Sequence, residues 1–326
     1  MKHSQIFNVL VSAPYLQKEF EAYRARFADE GLNPIVPLVR ERLEEEELLT
    51  LVHDIDGIIC GDDRITPHVL DHAPRLKVIV KWGTGIDSID AAYARRKGVP
   101  VRNTPNAFTG PVSDSVLAYL LAFSRNIVAA DTIMKSGNWH KAPGFTLAER
   151  CVGIIGVGNI GQAVARKLKA FGARVIGTDI VNIPAAVRKA CGIEMVSLDA
   201  LLEQADLVTV NCNLNPTSHH LLGRAQFERM PLHAVLVNTA RGPIVNEADL
   251  VWALEHGVIG GAALDVFEEE PLPITSPLRL MPNVLLSSHA TNASPRCWKA
   301  VHENSIAMLC ESLAPYRDAG REREVA

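Results

Sequence analysis

The stretch GIIGVGNIGQAVARKLKAFGARVIGTD, residues 153–179, constrains the fold of this chain more than any other. An apolar run leads into Gly156-x-Gly158-x-x-Gly161. A helical pattern follows, with Ile160, Val164 and Leu168 on one face, and stops at Gly172. A second apolar run then finishes on Asp179. A glycine triplet alone is weak, because small-residue loops produce it by chance. Strand, glycine turn, helix, strand and acid in this order describe a βαβ unit that binds a dinucleotide. Gly156 permits the tight turn, Gly158 lets the backbone approach a pyrophosphate, and Gly161 lets the helix lie close to the strand. The helix N-terminus offers N–H groups and a positive dipole end to the phosphates. Asp179, 18 residues beyond Gly161, can accept hydrogen bonds from the adenosine ribose hydroxyls. A carboxylate there repels the extra phosphate of NADP, and Ile180-Val181-Asn182 supplies no arginine, so NAD is the expected cofactor.

The same alternation runs along the whole chain. Residues 7–13, 57–61, 77–82 and 99–104 read as buried strands, separated by helices that start at Thr66-Pro67 and Asp87-Ser88. A long helix is expected over 110–137. A second series of near-continuously apolar strands follows, at 151–156, 173–179, 205–212, 234–240, 261–267 and 284–289, and a last helix over 294–316. The expected class is α/β, with doubly wound parallel sheets. At 326 residues the chain suits two domains.

Composition narrows the function. A net charge of −4 gives no basis for nucleic acid binding, whereas a small anionic substrate needs only one or two placed cations. The six cysteines are scattered and form no Cys-x-x-Cys pair, as expected of buried thiols in a reducing compartment. The N-terminal apolar run is brief and reads as a strand, not a signal peptide. No stretch reaches the length of a membrane span, so the expected location is the cytoplasm.

In open parallel sheets, ligands sit beyond the C-terminal strand ends. The later strands end there on Asn211-Cys212, Thr239-Ala240-Arg241, Asp265 and His289, with Glu270 in the loop after Asp265. Reducing a 2-oxo acid needs a cation for the carboxylate and a proton donor for the developing alkoxide. Arg241 has forked donors for the first task. His289 is the side chain of this set that titrates near neutral pH. A carboxylate such as Glu270 would favour its imidazolium and fix the ring.

The segments GIIGVGNIG, NTARGPIVNEADLVWALEHGVIGGAALDVFEEEP and VKWGTGIDSIDAAYARRKGVPVRNTPNAF, with the closing His289, resemble the D-isomer-specific 2-hydroxyacid dehydrogenases, and within them the 3-phosphoglycerate dehydrogenases. The resemblance implies two Rossmann-like domains with the active site in the interdomain cleft. Residues 1–109 and 292–326 would form a discontinuous substrate domain, and 110–291 the NAD-binding domain. Arg241 would hold the substrate carboxylate, His289 would be the acid/base, and Glu270 its partner. Asp265 would face the nicotinamide carboxamide, while Asn159, Ile160, Cys212, Thr239 and Ala240 would line the cofactor. The amides of Gly83, Thr84 and Gly85 would cradle the carboxylate, with Lys81 as a nearby cation. A homodimer built through the nucleotide domain is expected, and the segment 110–137 fits that role.

Some positions depart from the family pattern. Trp82 and Phe108 stand where small or polar residues are usual, and Asn211-Cys212-Asn213 replaces His-x-Pro. Gly61-Asp62-Asp63 lies near where phosphoglycerate enzymes carry an arginine, which disfavours a phosphorylated substrate and leaves Lys81 and Arg64 as cations. Two other readings share the fold: a dehydrogenase of phosphonate or phosphite, and an NADH-sensing corepressor-like binding protein. No metal site is expected, because His68/His72 and His219/His220 lack a third ligand tied to them by spacing.

Overall fold

A computed structural model describes residues 6–324, with side chains described to residue 317. These residues form two units. One comprises the chain through Phe108 and again from Ser294, and the other is Thr109–Ala293.

The first unit holds strands β1 (Phe7–Val11), β2 (Leu32–Ile35), β3 (Gly57–Cys60), β4 (Val78–Lys81) and β5 (Val101–Arg102). All pair in parallel in the order β2-β1-β3-β4-β5. The order reverses between β1 and β3, which makes their C-terminal ends the natural ligand edge. At that edge the buried Asp63 accepts hydrogen bonds from the Ser12 hydroxyl and from the amides of Leu43 (2.7 Å) and Gly61 (3.2 Å). Burial pushes this carboxyl above its ordinary range, and the three donors oppose that shift. Strand β2 was not expected from the sequence. It is a short edge strand containing Pro34, and the edge is where a residue without an N–H can enter a sheet.

The helix Pro295–Glu324 closes the other face of this sheet. Its Val301, Ile306, Leu309 and Leu313 are buried, and Leu309 fills the space a side chain at Gly57 would need. The same helix brings His302 beneath β4, where its Nδ1 accepts the Trp82 indole N–H at 2.9 Å. Trp82 also lies 5.1 Å from the Tyr15 ring and 5.7 Å from Phe108, in an aromatic group completed by Trp298.

The second unit holds β6 (Cys151–Ile155), β7 (Arg174–Thr178), β8 (Ile193–Met195), β9 (Leu207–Val210), β10 (Val235–Asn238), β11 (Gly261–Leu264) and β12 (Val284–Leu286). They form one parallel sheet in the order β12-β11-β10-β9-β6-β7-β8, the dinucleotide-binding order with one strand added. Alternate residues feed opposite faces. Val208, Val210 and Leu236 join one core, while Leu207, Val235 and Val237 join the other. The helix Asn159–Ala170 lays Gly161, Val164, Ala165 and Leu168 onto the sheet, and Ile160 stays half-buried at its start. The single helix expected over 110–137 is two, Thr109–Ser124 and Ile127–Lys135, bent by 58°. Asn126 lies between them in the left-handed region, at φ 53°. Among the described residues no single helix is long and apolar enough to cross a membrane.

His302 makes a testable pH element. Burial lowers its pKa below 6.5, against the opposing charges of Glu19 and Glu303. Between the unfolded and folded values the unfolded chain binds more protons, so this group's contribution is complete above pH 6.5 and is lost on acidification. Urea midpoints followed from pH 8 to pH 5 should fall in the wild type and fall less in His302→Gln, which keeps an acceptor for Trp82. Equal slopes would show that His302 does not contribute.

Candidate functional site

The catalytic group expected from the sequence is assembled by three adjacent strands. Parallel pairing places Asn238 beside Leu264, and Leu264 beside Leu286, so the segments after β10, β11 and β12 leave the sheet together. After β10 the buried Asn238 folds the chain back on itself. Its Oδ1 accepts the Ala240 amide at 3.1 Å, and its Nδ2 donates to the Arg241 carbonyl at 2.9 Å. The Arg241 side chain in turn donates to the Ala240 carbonyl at 2.8 Å. Gly242 follows because nothing larger fits there, as an added Cβ would lie 1.9 Å from the Phe267 carbonyl. The Arg241 turn is thereby pressed onto the loop that carries the glutamates.

In that loop Glu270 is held at both oxygens. Oε1 accepts the Phe267 amide at 3.0 Å, and Oε2 lies 2.9 Å from His289 Nδ1. A carboxylate only accepts, so Nδ1 carries the proton and Nε2 is the nitrogen that can exchange one with a substrate. Of the three consecutive glutamates, Glu268 pairs instead with His220 at 2.7 Å. The histidine–glutamate pair keeps about a fifth of each side chain exposed, 22% and 20%, which leaves it accessible to a small molecule.

Asp265, expected to face the nicotinamide, also holds the His289 loop. Its side chain is buried, and both oxygens are engaged by the His289 loop, through the amides of Ala290 (2.8 Å) and Thr291 (3.1 Å) and the Thr291 hydroxyl. Its own carbonyl accepts the His289 amide at 2.8 Å. His289 needs this clamp, because its φ of 54° lies in the left-handed region. That conformation costs a non-glycine residue roughly 1–3 kcal/mol. Hydrogen bonds to a charged acceptor contribute about 1.5–3 kcal/mol each, so the clamp prevails. Asn238 was not singled out in the sequence. An asparagine closing a strand before a polar turn was the available signal for Asn238.

The glycine loop and its acid meet at the switch between β6 and β9. The Gly156 amide donates to the Thr178 carbonyl at 2.9 Å, and a Cβ on Gly156 would strike the Cys212 backbone at 2.5 Å. Asp179 accepts the Val157 amide at 2.7 Å and the Val181 amide at 3.0 Å, which fixes its carboxylate at the loop. Burial, with the Asp179 charge adding to it, pushes the Cys212 thiol up to about 11, so Cys212 lines this edge as a neutral group.

Lys81, Gly83, Thr84 and Gly85 belong to the N-terminal unit and form a separate group at the end of β4. Gly83 has a φ of 122°, and its carbonyl accepts both the amide and the hydroxyl of Thr104. None of the backbone–backbone hydrogen bonds among the described residues uses the amides of Gly83, Thr84 or Gly85. Lys81 was expected as a nearby cation. It is buried, and its Nζ is paired with Asp62 at 3.0 Å. Arg64 stands beside Glu44, at 3.8 Å.

Two sequence models of one family match the chain: the D-isomer specific 2-hydroxyacid dehydrogenase catalytic domain over residues 9–154, and the NAD binding domain over residues 117–291. The chain belongs to the D-isomer specific 2-hydroxyacid dehydrogenase family. It is 37% identical to a glyoxylate reductase of Korarchaeum cryptofilum over 82% of its own length and 84% of the relative's. It is 38% identical to a D-3-phosphoglycerate dehydrogenase of Methanocaldococcus jannaschii, over 79% of this chain and 50% of that one. Among solved structures it is similar to a Thermus thermophilus protein, with a TM-score of 0.82 at 34% identity, covering 94% and 97% of the two chains. A 2-hydroxyacid dehydrogenase of Ketogulonicigenium vulgare aligns with a TM-score of 0.78 at 28% identity, covering 94% and 95%.

As a member of this family the chain is an oxidoreductase that uses NAD, and the second unit fits that cofactor. A side chain built at Gly158 meets nothing within 4 Å, while one at Gly161 would lie 2.1 Å from the Gly156 carbonyl. The loop is therefore closed on its protein side and open where a pyrophosphate would lie. No side chain caps the helix that begins at Asn159. Thr239 Oγ1 and Asn211 Oδ1 are buried without a hydrogen-bond partner among the described residues, at the strand ends a dinucleotide would cover.

If Asp265 acts on the loop and not on the cofactor, Asp265→Asn should lower kcat by about 100-fold, the scale of a small misplacement of a reacting group. NADH affinity, measured by fluorescence titration, should change by less than about threefold. Loss of NADH affinity with the remaining turnover rate unchanged would return Asp265 to the cofactor.

Proposed function

We propose that this dehydrogenase reduces small 2-oxo acids to their (R)-2-hydroxy acids, with His289, Glu270 and Arg241 as its catalytic residues. The observation that carries this reading is the 2.9 Å contact between His289 Nδ1 and Glu270 Oε2 beside the Arg241 turn. NADH, held at the Gly156–Gly161 loop and Asp179, would supply a hydride to the keto carbon. Arg241 takes the substrate carboxylate through its forked donors, which fixes the carbonyl carbon and orients its oxygen. His289 gives its Nε2 proton to that oxygen as negative charge develops. Glu270 holds the ring in the tautomer this needs and stabilises the imidazolium before transfer. The amides of Gly83, Thr84 and Gly85 serve as further donors to the carboxylate. The Asp179 carboxylate at the ribose position favours NAD over NADP.

The test is turnover of NADH and NADPH with glyoxylate, hydroxypyruvate, pyruvate and phosphonopyruvate. At least one unphosphorylated 2-oxo acid should be reduced, faster with NADH. His289→Asn should lose at least about 100-fold in kcat while binding NADH normally. Tight NADH binding with no turnover of any 2-oxo acid would favour the NADH-sensing alternative. A fully active His289→Asn would refute the proton donor.

The assembly we propose is a homodimer. The helix Ile127–Lys135 buries none of its residues, and Ile127, Val128, Met134, Trp139 and Phe145 are exposed along one continuous segment. Trp139 alone is 83% exposed. An apolar run of this extent on the nucleotide unit suits the self-complementary face of a two-fold pair. Sedimentation equilibrium should give a dimer that Trp139→Ser weakens, and a wild-type monomer would contradict it. All six cysteines are free, three of them buried, in keeping with a reducing cytoplasm.

A further inference from the structure

The C-terminal edge of the first sheet carries a charge arrangement that the reaction itself does not explain. Parallel pairing sets Cys60 beside Lys81, and the Trp82 amide donates to the Cys60 carbonyl at 2.8 Å. The chain therefore leaves β3 through Gly61-Asp62 next to where it leaves β4 through Trp82-Gly83. Lys81 Nζ sits against the loop it precedes, 3.4 Å from the Trp82 carbonyl and 3.8 Å from a side-chain position built on Gly83. Its charge is matched by Asp62 at 3.0 Å. The pair is also oriented: the lysine side chain is 5% exposed and the aspartate side chain 40%. What the solvent side of the loop meets is thus a carboxylate, with the cation behind it.

We propose that Asp62 is a specificity-determining residue, selecting 2-oxo acids in which the carboxylate is the only anionic group. The inference rests on the proposed role of the Gly83–Gly85 loop in holding that carboxylate. Lys81 Nζ touches both Asp62 and the start of the loop that would hold the substrate carboxylate, so a charged substituent on the substrate's third carbon would lie near Asp62, where like charges at a partly exposed site repel. A phosphate or second carboxylate at that position faces Asp62, and Lys81 is already neutralised. Hydrogen, hydroxyl and apolar substituents meet no such penalty. The aromatic group of Trp82, Tyr15, Phe108 and Trp298 at the same strand end adds no cation that would reverse the preference.

The experiment compares kcat/KM for hydroxypyruvate and 3-phosphohydroxypyruvate, which share a skeleton and differ by the phosphate, with glyoxylate as reference. At low ionic strength the wild type should prefer hydroxypyruvate by at least about tenfold, and the preference should shrink as salt is raised. Asp62→Asn keeps the size of the side chain, removes its charge and leaves Lys81 unmatched. It should shift the ratio toward the phosphorylated substrate by about tenfold. A wild type that uses the phosphorylated substrate as well as hydroxypyruvate would overturn the inference. So would a ratio unchanged in Asp62→Asn. If that variant does not fold, a wild-type preference insensitive to salt would overturn it equally. Failure to reduce all three substrates would instead refute the oxo-acid reading on which the inference rests.

Discussion

The parallel ladder of β10, β11 and β12 ends all three strands at one edge, and the buried Asp265 carboxylate ties two of those ends together. His289 depends on that tie. It sits in a backbone conformation that an L-residue avoids, and it stays there because its own amide bonds to the Asp265 carbonyl and the next two amides bond to the buried Asp265 carboxylate. Glu270 then has a ring at a fixed place to hold, and Gly242 lets the Arg241 turn close against the same loop. Removing any one contact would leave the side chains proposed as catalytic present but misplaced. Reaction rate is sensitive to displacements that leave binding almost unchanged.

The two sheets use one structural rule for different ends. In the nucleotide unit, the reversal of strand order at β6 and β9 opens a crevice whose floor is glycine backbone and whose rim carries unpartnered polar atoms. In the first unit the corresponding reversal is occupied by Asp63 and its three donors. Its polar edge is instead the end of β4, with the Gly83–Gly85 loop and the Lys81–Asp62 pair. Family membership accounts for the first arrangement through NAD. The second carries the Lys81–Asp62 pair, where substrate preference can be set without altering the chemistry.

Much of this was legible in the sequence, because the signals were local. The glycine triplet, the acid at the end of β7 and the near-continuous apolar strands each follow from short-range requirements. Edge strands β2 and β8 were not legible, since a strand paired on one side needs little apolar content and tolerates Pro34. The break at Asn126 was hidden because no Gly or Pro stands in residues 121–131 to mark it. What stayed illegible concerns charge. Asp265 was placed near the nicotinamide by the resemblance and Lys81 was read as a nearby cation, and the partners they find within their own units, the His289 loop and Asp62, could not be read from the sequence. Which partner a buried charge finds is decided by tertiary contacts that spacing along the chain does not encode. The choice of Glu270 among three glutamates came from the resemblance. In the structure it is the one seated on His289, with Glu268 on His220.

The central claim is that Arg241 and His289 act on one substrate molecule, the first on its carboxylate and the second on its carbonyl oxygen. A crystal structure with NADH and oxamate, the unreactive amide analogue of glyoxylate, tests it most directly. The account predicts the oxamate carboxylate on the Arg241 guanidinium, with the neighbouring carbonyl oxygen about 3 Å from His289 Nε2. Oxamate bound away from both side chains, or bound with its carbonyl oxygen out of reach of Nε2, would contradict it.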